Sequence, residues 1–404
     1  MRPTTDPDKI KVLQIITSTV GGAGMHVVYL SQFLNGRTFS NRVAFTPGQH
    51  LDYRFHEMGT EIITLQMGRT INLKGMLKDY LLLHKYIKEN QIDIVHTHNT
   101  LAGLVGRFAA KTAGAPVVIH MIHTFAADPL ASPLKRFAFL LLERVWDMFT
   151  DFYIAGSDYI RKKTVAQKIC AADKIQTIHY AADTAAFLDV DTSPAQIAAR
   201  RTKLNIAQNQ QVITFVGRLE PQKAPHIFIN AFANVLQERP SAQALIVGDG
   251  YMKPDLVKQC KQFGIEKNIA FLSWRKDIPE ILSYTDVFCL PSRWEAFGIV
   301  FAEASLMKVP IVATNIEGIP EVVINGKSGF LVHTDSPEQI SIAVLKILEN
   351  PILAQRMGEY GRQYVLENFT IELMIQSHES LYFKLYQTAK NKKAGAKKRR
   401  SLIN

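Results

Sequence analysis

Twice along these 404 residues, short apolar runs of four to six residues alternate with helix-length amphipathic stretches. Runs at 12–17, 42–45, 61–65, 92–96, 116–120 and 151–155 form the first series, with helical stretches such as 24–34, 73–89 and 101–113 between them. A second series runs through 211–216, 244–247, 269–272, 286–290, 310–313 and 329–332. A strand that is apolar along its whole length, not at every second residue, is buried on both faces, as happens when crossover helices cover a parallel sheet. The pattern predicts an α/β chain of two doubly wound, Rossmann-like domains facing across a cleft, with ligands at the carboxyl ends of the strands.

The boundaries follow from composition. Residues 1–183 form the expected N-terminal domain, a polar stretch at 184–210 the linker, 211–372 the C-terminal domain, and 373–404 a final helix with a basic tail. With 47% apolar and 21% charged residues the chain has the make-up of a globular protein, which excludes a disordered one. No uncharged apolar run approaches the ~18 residues of a spanning helix. The polar start, residues 1–8, shows no signal peptide, and Cys170, Cys260 and Cys289 are widely spaced without any CxxC. Together these features point to a reducing, cytoplasmic setting and exclude a disulfide framework or structural zinc site. The net charge of +11 is local: eight of the positive charges lie between Lys384 and Arg400, so residues 1–383 carry only +3. That cluster points to an anionic membrane surface as partner, with a solubilising tail or RNA binding as the other readings of the same charges.

Four motifs sit where strands end. Gly21-Gly22-Ala23-Gly24 opens a helix after the first strand, where glycines let backbone N–H groups approach an anionic or sugar group. A tight strand-to-helix turn accounts for the same residues. His96, His98, His120 and His123 follow at the ends of two neighbouring strands, as substrate contacts or as satisfied structural histidines. Neither spacing is HExxH and no acidic ligand accompanies them, so no metal site is assigned. Arg218 and Lys223 emerge together after 211–216, in keeping with a diphosphate or with an ordinary solvated pair, and Val247-Gly248-Asp249-Gly250 repeats the strand-then-glycine pattern weakly.

The fourth motif, residues 291–304, places Glu295 in a loop and Glu303 in the second turn of a helix beginning near Gly298. Backbone N–H groups of Phe297, Gly298 and Ile299 would face a phosphate at the positive helix end. Carboxylates repel phosphate, so Glu295 and Glu303 beside such a site must meet hydroxyls. Paired carboxylates also suit glycoside hydrolysis, which leaves the cations at 218 and 223 without a task. Two lookalikes fail: Gly326-Lys327-Ser328 has Glu321 where a P-loop needs glycine, and Asp189-Val190-Asp191 lies in the linker with no strand before it.

The spacing Glu295–x7–Glu303 within E-x-F-G-x-x-x-x-E-A resembles retaining family-4 glycosyltransferases of the GT-B fold. Gly217-Arg218 with Lys223, Ile319-Pro320-Glu321 and Gly329-Phe330-Leu331-Val332 match it in the second half, and Gly21-Gly22, His120-x-x-His123 and Ala155-Gly156-Ser157 more loosely in the first. The resemblance implies a nucleotide-diphosphate sugar as donor, with no separate cofactor and no metal. It implies Arg218 and Lys223 on the diphosphate, Gly22 approaching it from the N-terminal domain, and Glu303 on the ribose. Glu295 and His123 would stand at the donor sugar as the catalytic pair, and Arg275, within 274–276, beside the base. The acceptor would be a glycan or lipid-linked glycan of bacterial surface polysaccharide or glycolipid synthesis, and no nucleic acid is expected. A nucleotide-sugar epimerase or hydrolase on the same fold, or a nucleotide-sugar-binding scaffold, are the alternatives. Tyr180-Ala181-Ala182-Asp183, Thr124 and Lys308 depart from the family pattern, and none of them is a donor-binding residue.

Overall fold

The computed structural model describes residues 9–19, 21–68, 72–124 and 132–401, with side chains to residue 395. The segment 1–8, Val20 of the glycine motif, and the side chains of Lys397, Lys398, Arg399 and Arg400 lie outside that description. The chain divides into two compact units, Met1–Tyr180 with Glu372–Asn404, and Ala181–Ile371.

The first unit is built on a seven-stranded sheet. Its strands are β1 (Ile10–Ile16), β2 (Phe39–Phe45), β3 (Glu61–Thr64), β4 (Ile94–His98), β5 (Val117–Ile122), β6 (Phe152–Ala155) and β7 (Ile175–Thr177). Their order is β3-β2-β1-β4-β5-β6-β7 and every pairing is parallel. The second unit carries β8 (Val212–Val216), β9 (Gln243–Val247), β10 (Ile269–Phe271), β11 (Val287–Leu290), β12 (Ile311–Thr314) and β13 (Gly329–Val332), in the order β10-β9-β8-β11-β12-β13 and again parallel. In both sheets the order reverses beside the first strand, which creates a crevice at the strand carboxyl ends. β1, β5, β9, β11 and β12 are buried almost throughout, the expected consequence of helices on both faces.

Three features depart from the sequence reading. β4 runs two residues further than its apolar stretch, because His96, Thr97 and His98 are buried polar residues with partners inside the unit. β7 is a three-residue edge strand around Gln176 and has no apolar run to announce it. The stretch 184–210, expected as a linker, carries helices Thr184–Leu188 and Pro194–Lys203. Ile197, Leu204 and Ile206 join Val212, Leu245 and Tyr284 in one apolar cluster of the second unit. Buried Arg201 closes the turn by donating to the carbonyls of Ala207 (3.0 Å) and Gln210.

The last helix, Ile371–Ser401, belongs to the first unit. Tyr382, fully buried, accepts from Gln14 Nε2 of β1 at 3.2 Å and lies 2.6 Å from His96 Nδ1 of β4. His378 faces His26, their Nε2 atoms 3.3 Å apart, and Glu379 accepts from the Asn35 amide at 2.7 Å. Among the described residues no helix is long and apolar enough to cross a membrane.

Candidate active site

In the second unit the loops after β8, β9 and β11 are stitched together backbone to backbone. Gly217 donates to the Val247 carbonyl at 2.9 Å and Leu219 to that of Asp249 at 3.0 Å. Gly248 holds φ +131°, and a Cβ there would stand 2.0 Å from the Gly217 carbonyl oxygen, so glycine is obligatory at this crossing. Arg293 donates its amide to Gln222 (2.8 Å), and Gln222 returns its side-chain amide to the Trp294 carbonyl at 3.1 Å.

This stitching brings the expected residues of β8 and β11 into contact. Lys223 Nζ forms an ion pair with Glu295 Oε2, their side chains only 14% and 12% exposed. The Glu295 amide donates to Glu317 (2.8 Å), and its carbonyl accepts from Gly318 (3.1 Å). A Cβ on Gly318 would meet the Ala296 carbonyl oxygen at 2.0 Å, so this loop too is fixed by close backbone approach. Gly298 caps the helix Ile299–Leu306 in the left-handed conformation, φ +83°, with Phe297 buried edge-on to Phe369 at 5.1 Å. Ile299 is therefore the first helical residue, and the amides of this turn stand at the positive end of the dipole.

Glu303, one turn into that helix, is partly buried, and no hydrogen-bond donor among the described residues reaches its carboxylate. Burial, reinforced by the charge of Asp183, pushes its pKa up to about 7. Arg218 stands more open, bonded to Glu220 and Gln222 at 2.6 Å each. Arg275 pairs with Asp277, donating through Nε at 2.7 Å, beside an exposed Trp274. Two polar groups here escaped the sequence reading. Asp249 accepts from the Trp274 amide (2.9 Å), foreshadowed only by the weak Gly248-Asp249-Gly250 turn. Arg293 bridges Asp335 (2.8 Å) and His226 (3.3 Å), a contact that no local pattern signals.

In the first unit the four histidines part ways. His96 and His98 share one face of β4, two residues apart, while the Thr97 hydroxyl turns to the other face and lies 2.8 Å from His120 Nδ1. His98 gathers Gln14 Oε1 at 2.8 Å and His123 Nε2 at 3.0 Å; His123 Nδ1 in turn meets the Tyr180 hydroxyl at 2.5 Å. Both ring nitrogens of His123 are thus engaged, and burial pulls its pKa down to about 3. His120 packs so tightly against Gly103 that a Cβ there would meet its ring at 2.5 Å. A pocket lined by Asn99, Thr124, His120, His123, Phe139 and Glu143 opens beside them. In the glycine motif, a Cβ on Gly24 would stand 2.3 Å from the Thr19 carbonyl, whereas Gly22 has no neighbour within 4 Å. Among the described residues no three His, Cys, Asp or Glu side chains are grouped to hold a metal ion.

Comparison with known proteins settles the family. Residues 196–364 match the family described as glycosyl transferases group 1, and residues 20–186 match Glycosyltransferase Family 4. The chain is 30% identical over 319 residues to the UDP-Gal:alpha-D-GlcNAc-diphosphoundecaprenol alpha-1,3-galactosyltransferase of Escherichia coli, covering 78% of this chain and 81% of that one. It belongs to the group 1, family-4 glycosyltransferases. This glycosyltransferase is also 23% identical to the capsular polysaccharide biosynthesis glycosyltransferase CapM of Staphylococcus aureus, over 87% of its own length and 91% of the relative's. Its fold is that of Anabaena HepE, solved in complex with UDP, at a TM-score of 0.80 and 21% identity over 93% of this glycosyltransferase and all of that chain.

Proposed function

We propose that this glycosyltransferase moves a hexosyl or N-acetylhexosaminyl group, with retention and without a metal, from a nucleotide-diphosphate sugar. The acceptor is a glycan or lipid-linked glycan of bacterial surface polysaccharide or glycolipid synthesis. The carrying observation is Glu303: a carboxylate in the second turn of the Ile299–Leu306 helix that no donor among the described residues satisfies, ready to accept from the two ribose hydroxyls. The amides of Phe297, Gly298 and Ile299, with Arg218 and Lys223, then supply the positive charge that a diphosphate leaving group requires as its bond to the sugar breaks. Lys223 keeps N–H groups for phosphate while paired to Glu295, and Glu295 keeps an oxygen for donor-sugar hydroxyls. Arg275 stands near the base.

In this reading the sugar's bond to the diphosphate breaks and the acceptor oxygen bonds to the same face of the anomeric carbon. The acceptor proton passes to the departing diphosphate oxygen. His123, neutral and bonded at both nitrogens, serves as a fixed polar ring and does not donate that proton. The terminal cluster from Lys384 to Arg400 serves an anionic membrane surface on the cytoplasmic side. The diphosphoundecaprenol named in the Escherichia coli relative, and UDP in the names of that relative and of HepE, support a lipid-linked acceptor and a uridine donor.

Calorimetry with UDP, GDP, ADP and their sugar conjugates tests the donor site. Selective binding of one nucleotide, weakened at least tenfold by Glu303→Ala, is expected. Absence of any binding by folded protein overturns the assignment. Anomeric proton couplings of the product report retention directly.

A further inference from the structure

The helix Pro133–Trp146 turns Glu143 inward, where its carboxylate accepts from buried Arg107 at 2.9 Å. About half a turn around the helix from Glu143, Leu134, Phe137, Leu141 and Val145 recur every three or four residues, and Met148 continues the line; all are between 47% and 76% exposed. A water-facing stripe of this kind is the reverse of what a surface helix shows. The helix Leu73–Asn90 repeats it: it buries Asp79 and Leu83 but presents Leu73, Leu77 and Leu81 outward, each at least 58% exposed. The two stripes are joined by rings, with Phe108 stacked on Tyr80 at 5.2 Å and edge-on to Phe149 at 5.3 Å.

The exposed charges of these helices are predominantly positive. The first stripe is flanked by Lys135, Arg136 and Arg144, and the second by four lysines at 74, 78, 85 and 88. Of their acids, Asp79 and Glu143 are buried, and Glu89 lies 3.9 Å from Lys85. We propose that this joined apolar and cationic face of the first unit docks on an anionic phospholipid bilayer. The leucines and Phe137 enter the acyl boundary while the lysines and arginines meet phosphate headgroups. A second copy of the chain fits poorly, because a two-fold interface would set this cationic face against itself. The proposal deepens the lipid-linked-acceptor reading, on which its purpose rests, and places the membrane contact on the helical face in addition to the basic terminal segment.

Co-sedimentation of the full chain with vesicles of mixed phosphatidylcholine and phosphatidylglycerol, against pure phosphatidylcholine, tests it without any transfer reaction. Wild type is expected to bind the anionic vesicles, and Phe137→Glu with Leu141→Glu to lose at least tenfold in partitioning. Phe137→Ser with Leu141→Ser, which adds no charge, should show a loss in the same direction. An unchanged circular-dichroism spectrum and unchanged hydrogen-exchange protection of β4 and β5 in both variants show that the fold of the first unit is intact. The proposal is overturned if wild type ignores anionic vesicles or the face variants bind as wild type does. It falls equally if replacing Lys384, Lys390, Lys392 and Lys393 by Gln abolishes all binding, or if sedimentation velocity shows a dimer that Phe137→Glu disperses. Failure of wild type to bind any nucleotide would instead remove the donor-site reading and leave the vesicle result standing.

Discussion

At the scale of single residues, Glu303 combines a cost in stability with a use in binding. An acid whose pKa is raised on folding favours the folded state below its unfolded value, and that advantage disappears as pH rises through the folded value, here about 7. Since Glu303 keeps part of its surface in water, the penalty at pH 8 is put at about 1–2 kcal/mol. Glu303→Gln should therefore be more stable than wild type by that amount at pH 8 and equal to it at pH 4.5, by urea denaturation at the two pH values. It should also flatten a rise in nucleotide affinity that wild type shows between pH 6 and 8, because the carboxylate is the better acceptor for ribose hydroxyls. The Lys223–Glu295 pair behaves differently. Removing one partner strands a largely buried charge, so Lys223→Met should cost about 2–4 kcal/mol. Adding Glu295→Gln should recover most of that loss in the same denaturation experiment, while transfer stays abolished. The residues proposed for the donor site of the second unit stand out in the sequence because most follow an apolar strand run, where a parallel sheet presents its ligands. Their pairing was not, since Lys223 and Glu295 meet only through stacking of the β8 and β11 loops.

At the scale of elements, the glycine turn after β1 separates a structural from a functional need. Gly24→Ala would drive a methyl into the Thr19 carbonyl and should cost about 2–4 kcal/mol. Gly22→Ala meets open space within a helix, so thermal melting should show equal stability or a gain of up to about 1 kcal/mol, while the transfer rate falls if the donor approaches here. Equal transfer rates for wild type and Gly22→Ala would remove Gly22 from the site. The sequence pattern identified twelve of the thirteen strands among the described residues, because a buried parallel strand announces itself by an unbroken apolar run. It failed where that physics is suspended. β7 is a short edge strand, β4 ends in buried histidines, and the helices within 184–210 bury only a few apolar residues and the stem of an arginine. Lys308 is a smaller case: it holds φ +58° where glycine is at ease, and a Cβ on Gly358 would stand 2.0 Å from its carbonyl oxygen.

At the scale of the whole molecule, the first unit should be the more sensitive of the two to acid. The first unit buries His26, His96, His98, His120, His123 and His378, and burial lowers the pKa of each; neighbouring histidines add to the effect at all of them except His378, and Arg107 adds to it at His120. A histidine held neutral stabilises the fold fully above its unfolded value near 6.5, and the contribution is lost as pH falls towards the folded value, about 4 for His378 and about 3 for His123. Between pH 6.5 and 4 each of these two withdraws on the order of 3 kcal/mol. In the second unit, burial raises Asp286 and Glu303, so protonating these two relieves a strain that offsets the loss at His226, lowered by burial, and at Asp277, lowered by its bond to Arg275. Because His378 faces His26, and Tyr382 binds both His96 and Gln14, the first charge to enter the cluster also loosens the docking of helix Ile371–Ser401 on β1 and β4. That dependence joins residues more than 280 positions apart, and no local periodicity encodes it. Hydrogen exchange followed by mass spectrometry at pH 7, 5.5 and 4.5 should show β1, β4, β5 and the terminal helix losing protection together, while β8, β9, β11 and β12 retain theirs. Loss of protection in both units at the same pH would show that the histidine cluster does not govern the acid limit of this enzyme.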